Sequence, residues 1–237
     1  MNNFEICVQQ YAFTKRCWWQ LSSLAQQAHK SNFVFKLNIH KDDPFHKLNK
    51  QLIHTFQDLI NLKVKVWNYE QFFRRSATRN ADLVEATKQW IIYADADMIF
   101  HPTFFDVINK VSLKPDKVNV IPRYNTEIAD GVRLINSQSY VDRPIKSVAG
   151  RLMKVPLRQS SSVGAGYFQL VNVGFLRSEG LNYSMPSDRA LNSRRGPSYH
   201  SDKYLRSVLG LNRIQIAPIY HINHYRLRDG RSLKECQ

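Results

Sequence analysis

Trp90-Ile-Ile-Tyr-Ala-Asp95-Ala-Asp97-Met-Ile-Phe-His-Pro102 is the stretch from which the rest of the chain is read. Trp90 to Tyr93 form a compact apolar run, as a strand buried on both faces requires, and two carboxylates follow directly at its carboxyl end. In open α/β sheets ligands bind at that edge. Two aspartates one residue apart on extended backbone project from the same side, ~6 to 7 Å apart, which suits a hard cation. Mg2+ or Mn2+ is commonly held by one or two protein carboxylates while phosphate oxygens complete its shell, so the partner implied is a nucleotide diphosphate. The competing use of the pair is turn and cap hydrogen bonding ahead of a helix at Pro102.

Upstream of this stretch, short β-type runs alternate with helical ones, the pattern of an α/β sheet with crossover helices. Strands are expected at Phe4 to Val8, at Phe33 to Ile39 and over the alternating Leu62, Val64 and Val66, with helices over Trp18 to Ala28 and Leu48 to Ile60. Asn80 has the chemistry of an N-cap for a helix from Ala81 to Lys88. Downstream, a strand is expected from Val118 to Pro122. The basic stretch from Asn125 to Ser162 suggests loops and edge strands around a site, and Tyr167 to Leu176 suggests another strand. Ser201 can cap a helix from Asp202 to Leu209 that Gly210 stops, and Ile214, Ile216 and Pro218 alternate towards two histidines, His221 and His224. Three residues apart on a strand, those histidines face opposite ways, so only one of them can reach a given point. No internal repeat and no Pro-, Gly- or Ser-rich linker divides the chain.

Composition narrows the partners. The chain of 237 residues carries 34 Lys and Arg against 19 Asp and Glu, a formal charge of +15, with a mean hydropathy of -0.43. A hydrophobic share of 43% with 12% aromatics excludes a disordered or collagen-like chain, and the charge gives a field attractive to polyanions: nucleic acid, an anionic membrane or a phosphorylated small molecule. Cys7, Cys17 and Cys236 are too few and too scattered for a disulfide framework or a structural zinc site, and a reducing compartment is expected. No apolar run reaches the ~18 residues of a spanning helix, and the first residues lack a secretion signal, so the expected place is the cytoplasm, with peripheral contact to an anionic membrane as an option.

The order Thr78-Arg79-Asn80-Ala81, apolar strand, Asp95-Ala-Asp97, then Pro102 resembles the family 2 glycosyltransferases. The resemblance implies one GT-A domain with a mostly parallel central sheet flanked by helices. Residues 1–102 would form the nucleotide-sugar-binding half and residues 103–237 the acceptor-binding and catalytic half. It further implies that Asp97 binds Mn2+ or Mg2+, that Asp95 holds the ribose or a metal-bound water, and that Arg79 lies along the nucleotide. Gln9 and Tyr11 would meet the base, and Asp42 or Asp43 would accept from its edge. The family's first strand usually ends in Pro-x-Tyr-Asn or similar, where this chain has Gln9-Gln10-Tyr11-Ala12. By the same resemblance Asp202 is the base that takes the acceptor hydroxyl's proton in an inverting transfer, and His224 is the metal-binding histidine. His221, Gly166 and Arg226 are secondary candidates.

The residues also admit other uses: core packing for Tyr11, a surface ion pair for Arg79, turn formation for Asp42 and Asp43, dipole complementation for Asp202 and structural roles for the histidines. The expected substrates are a nucleotide-diphospho-sugar donor and a glycan or lipid-linked acceptor, the product class including polysaccharide. Two rivals differ in class. A phosphatase or phosphotransferase of the haloacid dehalogenase type would open its domain with its D-x-D, whereas about 90 residues precede Asp95 here. A nucleic-acid binder is not expected, since there is charge but no zinc-finger, helix-turn-helix or RNP-like motif.

Overall fold

The computed structural model describes residues 2–28, 32–68, 72, 75–160, 167–183, 204–214 and 219–223. Its first strand, β1 (Phe4–Gln10), alternates Phe4, Ile6 and Val8 with Glu5 and Cys7, so its two faces enter two different cores. The chain continues through α1 (Thr14–Ala25), β2 (Phe33–His40), α2 (His46–Phe56), β3 (Leu62–Trp67), α3 (Arg75–Val84) and β4 (Trp90–Asp95). β1 pairs in parallel with β2 on one side and β4 on the other, and β2 pairs in parallel with β3.

Beyond β4 come β5 (Met98–Phe100), α4 (Phe104–Ile108), β6 (Val118–Val120), β7 (Arg123–Thr126), α5 (Ile128–Asn136), α6 (Val148–Leu152), β8 (Leu157–Gln159), β9 (Phe168–Asn172) and α7 (Val173–Ser178). A helix over 204–209, β10 (Leu211–Arg213) and β11 (Ile219–His221) complete the described elements. The main sheet runs β10-β6-β9-β4-β1-β2-β3 with β9 antiparallel to both neighbours, and a second sheet runs β5-β11-β7-β8. The expected mostly parallel sheet flanked by helices is therefore present.

One face of the main sheet, with Ile6, Val8, Ile92 and Ala94, buries Trp18, Trp19, Leu21 and Leu24 of α1, Leu52 and Phe56 of α2, and Phe104 and Phe105 of α4. The other face, with Cys7, Ile91, Tyr93 and Val171, packs on Leu83, Leu176, Tyr183 and Leu205. Each large side chain buried here is worth ~1.5 to 3 kcal/mol of transfer free energy. β3 is the sheet's edge, so Val66 of the alternating valines is 61% exposed.

Several sequence expectations shift for local reasons. Asn80 does not cap a helix; it lies inside α3, and its amide donates to Tyr183 O (2.8 Å) and accepts from Tyr183 N (2.7 Å). The strand expected over Tyr167 to Leu176 stops at Asn172, whose side chain accepts from Phe175 N and caps α7. The stretch expected to hold loops and edge strands contains α5 and α6. Among the described residues no helix is long and apolar enough to cross a membrane.

Candidate active site

The strand order places a topological switch at β1: from it the chain winds through β2 to β3, then returns to β4 on the opposite side. A crevice at such a point, outside the carboxyl ends of the strands, is where an open α/β sheet binds ligands. Here it holds about 310 Å3, counting its open mouth, and is walled by Val8 and Gln9 of β1, Asn38 of β2, Tyr93 to Asp95 of β4, and Arg75, Thr78, Arg79 and Asp82 of α3.

Asp95 ends β4 and is fixed through its main chain: its N–H donates to Tyr167 O (3.1 Å) and its carbonyl accepts from Gln20 Nε2 (3.0 Å). Its half-buried carboxylate pairs with Arg75 at 3.4 Å. Arg79 is no surface residue: it is 7% exposed, and its guanidinium lies 5.3 Å from the Tyr93 ring centroid and 5.1 Å from that of Tyr183. Two aromatic faces hold the cation by its attraction to their π-electron density. Tyr93 Oη donates to Arg79 O at 2.8 Å, and burial pushes the Tyr93 phenol well above its usual range.

The expectation of two aspartates on extended backbone does not hold, because Ala96 and Asp97 form a turn between β4 and β5. The turn buries Asp97 to 7% exposure and aims it at the second sheet. There β11 sets His221 opposite Met98 on one side and Asn125 on the other. His221 Nε2 lies 3.2 Å from Asp97 Oδ2, and His221 Nδ1 lies 3.1 Å from Asn125 Oδ1. A metal-ligating imidazole is commonly held in orientation by an oxygen at its other ring nitrogen, and Asn125 Oδ1 stands at that place here. Carboxylate oxygen and imidazole nitrogen together suit Mn2+ or Mg2+, so the donor set fits the group. Among the described residues no three His, Cys, Asp or Glu side chains converge, and Asp97 and His221 are the pair these residues offer.

The other expected residues take different places. Gln9 donates its side-chain N–H to the Phe72 carbonyl at the crevice wall. Tyr11, 36% exposed, packs edge-on to His40 with ring centroids 5.6 Å apart. Asp43 is buried with Oδ2 accepting from Ala12 N (3.0 Å) and Oδ1 from Phe45 N (2.8 Å), so it locks the loop between β1 and α1 and does not line the crevice. Asp42 is exposed, its N–H donating to His40 Nδ1. Asp202, His224, Gly166 and Arg226 lie outside the described residues.

Four residues that sequence reading missed belong here: Arg75, Asn38, Asp82 and Asn125. Arg75 and Asp82 carried a signal, four residues before and three residues past Arg79 on one helix and so on its face. Asn38 Nδ2 donates to Asp82 Oδ2 at 3.0 Å while its carbonyl accepts from Trp67 Nε1 at 2.6 Å. Burial raises Asp82 to about 6, against the opposing pull of Lys36 and the Asn38 hydrogen bond. Lys36 is itself paired with the buried Glu5 at 2.7 Å, and Thr87 N and Oγ1 also donate to Glu5.

No protein-family model and no curated protein matches this sequence. Solved structures do. S. aureus TarS (residues 1–349) in complex with UDP-GlcNAc superposes on 96% of this chain and 60% of its own, with a TM-score of 0.59 and 12% identity. The mannosyltransferase PcManGT from Pyrobaculum calidifontis, in complex with GDP-Man and Mn2+, matches 95% of this chain and 58% of its own at a TM-score of 0.56 and 10% identity. The glycosyltransferase GlyE of Streptococcus pneumoniae TIGR4 matches 90% and 45% at 0.50 and 12%. The chain thus spans at most about 60% of the length of these structures. At such identities the likeness is one of architecture: this chain has the GT-A-type α/β fold that these structures share.

Proposed function

We propose that the protein transfers a sugar from a nucleotide diphosphate to an acceptor hydroxyl, with a divalent cation at Asp97 and His221. The observation that carries this reading is the Asp97–His221–Asn125 chain beside the switch-point crevice, joined to a fold shared with structures that contain UDP-GlcNAc or GDP-Man. The nucleoside would lie in the crevice, where Arg75 and Arg79 offset its phosphate charge and Asn38 and Asp82 form the polar floor. Asp95 would hold the ribose from the end of β4, and its two main-chain hydrogen bonds keep it from moving when the ligand enters.

When bound, the cation supplies neutralisation of the charge that grows on the departing diphosphate, a contribution of several kcal/mol in a partly dry site. Asp97 and His221 orient, and Asn125 keeps the imidazole's second nitrogen protonated and pointed away. The 3.2 Å contact with Asp97 supports His221 as a ligand, while His224 lies outside the described residues. Asp202, ahead of the helix over 204–209, is proposed as the acceptor of the hydroxyl proton in a single inverting displacement.

Calorimetric titration with MnCl2 plus UDP or GDP tests the reading, followed by slow hydrolysis of a panel of UDP-, GDP- and dTDP-sugars. Association is expected only when metal and nucleotide are both present. Asp97→Asn is expected to weaken it at least tenfold, while Asp202→Asn lowers turnover by orders of magnitude and leaves nucleotide binding intact. Folded protein that binds no nucleotide with manganese would refute the assignment.

A further inference from the structure

Residues 110–160 hold ten lysines and arginines against four aspartates and glutamates, a far more basic balance than in the strands and helices before them. The structure gathers four of these cations, Arg133 from α5 and Lys146, Arg151 and Lys154 from around α6, along one open groove of about 1110 Å3 counting its open side. Arg133 pairs with Asp130 at 2.6 Å, but among the described residues neither Lys146 nor Lys154 meets an acidic partner. The groove is built rather than incidental. Arg151 Nε donates to Lys146 O at 3.0 Å, and Gln26 Oε1 accepts from Val148 N, tying α6 to α1. Ser147 holds a left-handed backbone (φ 50°), and a Cβ at Gly150 would stand 2.6 Å from its hydroxyl oxygen. A left-handed non-glycine residue costs of order 1 kcal/mol and persists where its surroundings over-determine it.

The groove is also linked to the site. Gly131 of α5 packs against the main-chain carbonyl of Asn223, two residues past His221, and Arg133 lies two residues farther along the same helix. With a rise of ~1.5 Å per residue, Arg133 starts only ~3 Å along the axis from the residue that meets Asn223, so one helix borders both the groove and the strand end that carries His221.

We propose that this groove binds a linear polyanion. Resting on the transferase reading above, it seats an acceptor chain that carries repeated phosphate or carboxylate groups while one of its hydroxyls reaches the sugar. A chain can follow a concave floor and meet successive cations, whereas a flat bilayer touches only the rim. Such contacts release counterions, so affinity falls with salt by close to one unit of slope per charge neutralised.

The test measures anisotropy of fluorescein-labelled inorganic polyphosphate and polygalacturonate between 50 and 300 mM NaCl, beside sedimentation with phosphatidylglycerol vesicles. The wild-type chain, a K146Q/R151Q/K154Q variant and a control with three exposed lysines removed elsewhere, K47Q/K50Q/K63Q, are compared. The groove variant is expected to bind the chains at least tenfold more weakly, with a salt slope shallower by about two to three, while the control binds like wild type. The tighter of the two chains names the acceptor's charged group. K146Q alone, expected to weaken binding about threefold, carries the test if the triple variant folds poorly. Equal losses in groove and control variants, unchanged binding in the groove variant, or capture by vesicles but not by chains would overturn the proposal. Manganese and nucleotide titrations on the same proteins separate the two readings: chain binding at the groove without nucleotide binding in the wild type would remove the acceptor role and leave a plain polyanion site.

Discussion

Asn125 shows how much of the site depends on a side chain that touches no substrate. Its Oδ1 is the partner of His221 Nδ1, so removing it frees the imidazole to rotate or to exchange its proton between nitrogens. Asn125→Ala is expected to weaken manganese-dependent nucleotide binding ~10- to 100-fold at unchanged thermal midpoint, and calorimetry beside a melting curve reads both. Nothing in the sequence singles out Asn125, because its role exists only once β7 and β11 lie side by side. Asp82 gives a prediction in pH. Its carboxyl binds a proton more tightly folded, at about 6, than at the ordinary 3.8, so the stability it contributes is fully present below pH 4 and is lost as pH rises through 6. The swing is roughly 3 kcal/mol. Asp82→Asn removes it: against wild type, the variant should gain about that much stability between pH 4 and pH 8 in urea denaturation. A flat difference across that range would refute the buried-carboxyl account.

At the scale of elements, α5 lies between Asn223, two residues past His221, and the basic groove. A Cβ on Gly131 would sit 2.1 Å from Asn223 O and 2.9 Å from Thr126 Oγ1, and the nearer of these is backbone that cannot swing away. Gly131→Ala should therefore push α5 off β11, costing ~1 to 3 kcal/mol despite alanine's better helix propensity, and should weaken manganese and nucleotide binding as His221 shifts. Gly174→Ala on α7, whose nearest neighbour would be Asn172 Oδ1 at 3.4 Å, is the contrast and should leave the urea midpoint and the binding unchanged or the midpoint slightly raised. Periodicity found most of the regular elements, β1, β2, α2 and β4 among them, because their apolar spacing is local. It missed α5 and α6, whose polar faces line grooves, and it misplaced the start of α3. That helix is anchored from outside itself: Asn80 grips Tyr183, and Arg177 Nη2 donates to the carbonyls of Leu83, Val84 and Ala86 at its carboxyl end, satisfying acceptors the helix cannot satisfy itself.

For the molecule as a whole, the sequence by itself determined the first four strands, their alternation with helices, the positive field and the acidic pair at the end of β4. These are properties of composition and of spacing over a few residues, and the hydrophobic effect acts on them wherever the chain goes. Only the tertiary structure decided which carboxylate is buried, which histidine meets it and which arginines enter the crevice. Asp97 and His221 are 124 residues apart and come together because β11 lies between β5 and β7 in the second sheet. Asp43, expected at the base edge, accepts from the backbone N–H groups of Ala12 and Phe45, a pairing that joins two loops distant in sequence. Long-range strand pairing carries no local mark, since main-chain hydrogen bonds are nearly the same for every residue and the pairing is settled by what each face can bury.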